Sequence, residues 1–86
     1  MVDVNKYDRK TLVAASRIMV VAGFDPQTGA GDAFNYVAGQ IDGLPRSVDI
    51  GEVSKRISDH LSQEYRIQLR QPVDSGKVYD VLRAEL

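Results

Sequence analysis

Twice along the chain an apolar-periodic segment runs into glycine, a bulky apolar residue and then proline: Gly23-Phe24-Asp25-Pro26 and Gly43-Leu44-Pro45. Glycine enters the left-handed conformation after a last helical turn at little cost. The apolar residue behind it packs back on that turn, and proline cannot continue the helix. The two punctuation marks therefore close two helices, and their close spacing leaves room only for short connections.

The segments around these marks predict four helices. The first spans 6–22, with Asn5 as its cap and Asp8 in a first turn where the helix dipole favours negative charge. Leu12, Ala15, Ile18, Met19 and Ala22 share a face, and Val13, Ala14, Val20 and Val21 widen it until the second half is apolar nearly all round. Such a helix is expected at the centre, buried on several sides. A strand over Ile18–Phe24 is the competing reading of the same apolar run; the glycine ending favours the helix.

The second helix spans 30–42, where Ala30, Ala33, Phe34, Val37, Ala38 and Ile41 form an unbroken amphipathic stripe. The third spans 50–66, opened by a capping-box-like Asp49-Ile-Gly-Glu52, with Ile50, Val53, Ile57, Leu61 and Tyr65 inward. Arg66-Ile-Gln-Leu-Arg70 alternates polar and apolar, so a short extended segment at 66–70 is an alternative ending, with Met1–Val4 the other alternating stretch it would pair with. The fourth helix spans 76–85 behind Asp74 or Ser75 as cap, presenting Val78, Val81, Leu82 and Leu86. The fold expected is an all-α, compact single-domain bundle, residues 1–86, with the first two helices central.

Composition narrows the function classes. The chain has 86 residues, 11 Lys and Arg against 12 Asp and Glu, a formal charge of −1 and no Cys. A disulfide framework and a Cys-based zinc site are excluded. No apolar run approaches a membrane span, and the N-terminus lacks the basic-then-apolar look of a signal peptide, so no membrane role and a cytoplasmic location are expected. Near-zero charge disfavours coating of nucleic acid by bulk electrostatics. A chain this short buries about 60–65% of the surface its unfolded form exposes, so a partner adds welcome stability.

One segment has the look of a ligand loop: Thr28-Gly-Ala-Gly-Asp-Ala-Phe34. These seven residues of 86 resemble the signature of the ribokinase-like sugar kinases. The resemblance implies that Gly29, Ala30 and Gly31 form an anion hole at a helix N-terminus and that Asp32 is the base activating a sugar hydroxyl. The physics of an anion at such a place is general, since backbone N–H groups and the helix dipole converge there. Read without the resemblance, the stretch is a glycine-rich inter-helix turn with Thr28 or Asp32 as cap, which leaves Gly29–Asp32 as an anion-binding candidate and no cofactor expected. That family builds a sheet and a nucleotide site on a far longer chain, so the stretch by itself predicts no enzyme.

His60, the single histidine, stands beside Ser58, Asp59 and Ser62, but neighbours at such spacing on a helix point to different faces and make no triad. It is expected as a surface or boundary histidine, with no catalytic residue and no metal site. Lys55, Arg56 and Arg66 are candidates for an interaction surface on the third helix, where Lys55 and Arg66, eleven residues apart, can share one exposed face, which would make a small DNA-binding regulator. Between Arg46 and Arg70 the five bases Arg46, Lys55, Arg56, Arg66 and Arg70 stand against Asp49, Glu52, Asp59 and Glu64, a local charge of only +1. Tyr36 and Tyr79 fall beside rather than on the apolar stripes, as interface anchors often do. The leading expectation is a non-enzymatic helical module that docks on a protein partner or on a second copy of itself. DNA binding stands second, and phosphate or nucleotide binding at Gly29–Asp32 third.

Overall fold

A computed structural model describes residues 7–24, 31–69 and 71–86. It is all-helical: α1 (Arg9–Ala22), α2 (Gly31–Ile41), α3 (Ile50–Glu64) and α4 (Ser75–Glu85), with no strand among the described residues. This matches the expected class, with helix ends shifted by a residue or two except at the start of α1. That helix begins at Arg9, and its cap is Asp8 rather than Asn5, because the Asp8 carboxylate accepts the Thr11 backbone N–H at 2.8 Å. Asn5 lies outside the described residues, as do Met1–Val4.

The two glycine endings are as the sequence requires. Gly23 sits at φ +94°, and the Phe24 N–H reaches back to the Met19 carbonyl at 3.1 Å. Gly43 sits at φ +73°, with the Leu44 N–H on the Ile41 carbonyl at 3.3 Å. Only glycine occupies such φ values without steric strain. Asp49 caps α3 through the Glu52 N–H at 3.3 Å, and Asp74 caps α4 through the Gly76 N–H at 2.8 Å.

The extended alternative at 66–70 is overturned for the residues described. The Tyr65 carbonyl accepts both the Gln68 N–H at 3.0 Å and the Leu69 N–H at 2.9 Å, which folds the stretch into a tight turn. Its two apolar side chains part company: Leu69 is buried, and Ile67 is 97% exposed. Arg70 lies outside the described residues.

One core holds the helices together. α1 packs on α2 and α4, α4 packs on α1 and α3, and α2 meets α3 more lightly. The central pair is therefore α1 and α4, not α1 and α2 as expected. The reason is in the side chains. Val78 and Leu82 of α4 are fully buried in one cluster with Ile18 of α1 and Ile57 and Leu61 of α3, whereas the buried residues of α2 are Ala33, Val37, Ala38 and Ile41, half of them alanine. Small residues such as Ala14, Ala15, Ala33 and Ala38 let α1 and α2 come close but bury little area each.

Nor is α1 buried on several sides. Thr11, Ala14, Ala15, Ile18 and Ala22 form its inward face, while Val13 and Val20 turn outward at 40% and 71% exposure. On α3 two serines join the buried face. Each hydroxyl donates to its own helix, Ser54 to the Ile50 carbonyl at 2.7 Å and Ser58 to the Lys55 carbonyl at 3.0 Å, so neither is left unsatisfied. The loop before α4 is tied to α3 where the Val73 N–H donates to the Ser62 hydroxyl at 2.9 Å.

Candidate functional site

A chain of rings runs along the α2–α3 seam. The Tyr36 ring of α2 stacks on His60 of α3, centroids 3.6 Å apart and planes 13° from parallel. His60 meets Tyr65 edge-on at 6.5 Å, and Tyr65 meets Phe24 edge-on at 5.6 Å. The rings are half-buried except Phe24, which is buried and belongs to the core. Burial pushes the Tyr36 hydroxyl above its ordinary range, against the opposing pull of the Arg56 charge. Burial raises Tyr65 as well, helped by the carboxylates of Asp32 and Glu64. The seam thus offers stacked aromatic surface.

Among the candidates read from sequence, Tyr36 and Arg56 come together here. Arg56 donates to the Gln40 side-chain oxygen at 3.3 Å and pairs with Glu52, one turn earlier, at 3.6 Å. Lys55 is exposed on the same helix, but α3 ends at Glu64. Arg66 is therefore in the following turn and does not extend a basic face along α3. The helix itself carries Glu52, Asp59 and Glu64 against Lys55 and Arg56. Tyr79, half-buried on α4, stands outside the chain of rings.

The glycine-rich turn is only partly described. Of the anion-hole candidate, Gly29 and Ala30 lie outside the described residues. Gly31 and exposed Asp32 open α2, and Asp32 puts a carboxylate in its first turn, where it already complements the dipole. A helix, α1, leads toward this turn, and the all-helical architecture differs from the sheet that the sugar-kinase resemblance implies.

Of two further surface features, the sequence pointed only to surplus apolar surface on the first helix, without saying which of its residues face outward. A cleft of about 820 Å³ opens between the end of α1 and the start of α4, with Val21, Phe24, Leu69, Pro72 and Lys77 among its walls. The other is the outward face of α1, where Arg9, Lys10, Val13, Ser16, Arg17 and Val20 are all exposed. Its centre is anchored by an ion pair between Arg17 and Glu85 of α4. The clue was available in the excess of apolar residues on α1, which cannot all face one core. Among the described residues no group of His, Asp and Glu gathers to hold a metal, and no helix is long and apolar enough to cross a membrane. No family model, curated protein or solved structure matches this chain.

Proposed function

We propose that the chain is a non-enzymatic helical interaction module that docks on a protein partner. The observation that supports this reading is the outward face of α1, where Val20 keeps 71% of its surface and Val13 40%. A small bundle that leaves branched apolar side chains of its central helix in water gains by covering them. Ile67 at 97% exposure adds a second apolar point on the surface. The DNA-binding alternative is less well supported, since α3 carries more carboxylates than cations and Arg56 is engaged by Gln40 and Glu52.

The test compares the chain with a Val13→Asp, Val20→Asp variant in affinity purification from the native source, read by mass spectrometry, with sedimentation velocity of both at micromolar concentration. The reading expects a protein held by the parent chain and lost from the variant. If parent and variant capture the same proteins, and both sediment as strict monomers, the interaction reading falls.

A further inference from the structure

The exposed face of α1 has a sign as well as an apolar line. Arg9, Lys10 and Arg17 lie on it, and α1 contains no acidic residue, its one adjoining carboxylate in the chain being the cap Asp8, which is already engaged by the Thr11 N–H. Val13 and Val20 are seven residues apart, so they stand on one line about 10 Å long, with Ser16 between them. Seven-residue spacing is the repeat by which one helix lies along another, with the apolar seam inside and the flanking charges setting partner choice. Arg17 already holds one carboxylate on this face, that of Glu85 from α4.

We propose that this face docks an acidic amphipathic helix of the protein partner. This rests on the interaction reading above and adds the partner's chemistry. Apolar side chains of the incoming helix lie along the Val13–Val20 line, and its carboxylates face Arg9 and Lys10 on the rim. The charge decides against the other occupants. A second copy would bring the same cations face to face, and like charges across an interface are strongly disfavoured. A phosphate backbone would satisfy the cations and leave the valines against charged oxygens. A lipid surface would gain little, because the face carries no aromatic or long apolar side chain to embed.

The experiment titrates the full chain with two labelled synthetic peptides about three heptads long. Both carry Leu at the core positions; one has Glu and the other Lys at the flanking positions. Fluorescence anisotropy reads binding at low and high salt, and sedimentation reads self-association. The expected result is binding of the Glu peptide alone, weakened at least about tenfold by Val13→Ser with Val20→Ser, and likewise by Arg9→Glu with Lys10→Glu. All four positions are exposed, so circular dichroism should show both variants folded. Equal binding of the two peptides, lost in the valine variant, overturns the acidic partner while leaving the interaction reading standing. Glu-peptide binding that ignores both variants, or no binding at millimolar peptide, overturns the site. Self-association that depends on Val20 makes a second copy the occupant and overturns the proposal. Binding to mixed-sequence duplex DNA or to phosphatidylserine vesicles that Arg9→Glu with Lys10→Glu abolishes, in place of the Glu peptide, does so as well.

Discussion

Gly43 and Gly31 flank the same helix and do opposite things. Gly43 holds φ +73°, with open space where a Cβ would stand. Replacing it by alanine strains the backbone without any clash, at about 1 kcal/mol. Gly31 opens α2 at an ordinary φ, also with nothing within 4 Å of a Cβ. Gly31→Ala should therefore stabilise the fold by about 0.5 kcal/mol, by reducing the freedom of the unfolded chain. Urea denaturation of the two variants should move the midpoint in opposite directions. Asp8 gives a second residue-scale test. The Thr11 backbone N–H, then the Thr11 hydroxyl, hold its carboxyl below the ordinary 3.8, with a smaller contribution from nearby Lys10. Because the folded value lies below the unfolded one, the stabilisation is present above the ordinary value and is lost as pH falls through the lowered one. Asp8→Asn keeps a capping oxygen but does not titrate, so its stability at neutral pH should stay close to the parent's. Its loss of stability on acidification to about pH 2 should be shallower, read from urea midpoints across that range.

Between elements, the α2–α3 contact is the lightest of the helix pairings described, and the Tyr36–His60 stack is its most specific feature. A double-mutant cycle with Tyr36→Leu and His60→Leu should give a coupling of about 1 kcal/mol, beyond the area each ring buries. A coupling near zero would make the stack incidental to α2 docking. The helices themselves were legible because what makes them is local: a cap, a 3.6-residue stripe, a glycine ending. Thus Asp49 caps the helix it was read to cap, Asp74 is the one of the two candidates Asp74 and Ser75 that caps α4, and Ala33, Val37, Ala38 and Ile41 are buried as the stripe demands. The stack was not legible. Tyr36 and His60 are 24 positions apart, and nothing in either neighbourhood specifies which ring of α3 a ring of α2 will meet. Local alternation also misled at Ile67 and Leu69, since only a partner strand gives alternation its meaning. The buried Ser54 and Ser58 were missed for a different reason: a hydroxyl satisfied on its own helix behaves as a small core residue.

For the molecule as a whole, the order of packing is α2, α1, α4, α3, with α2 and α3 closing the circuit lightly. Apolar content suggested that the first two helices would form the centre, and this failed because apolar content does not measure buried area. The alanines of α1 and α2 are apolar and small, while Val78, Val81 and Leu82 of α4 fill the space between α1 and α3. The surplus valines of α1 then have no interior to enter. The candidate site was legible only to that extent: the surplus could be counted, but which valines would face outward depended on where α4 docked. The Arg17–Glu85 pair joins the same two helices across 68 positions of chain. Helical proteins usually assemble through contacts close in sequence, and here one of the main helix pairings, α1 with α4, joins segments far apart in the chain. On the ribosome, α1 can dock on α2 as soon as both have emerged, but the part of its inner face that meets α4 stays uncovered until α4 has been synthesised.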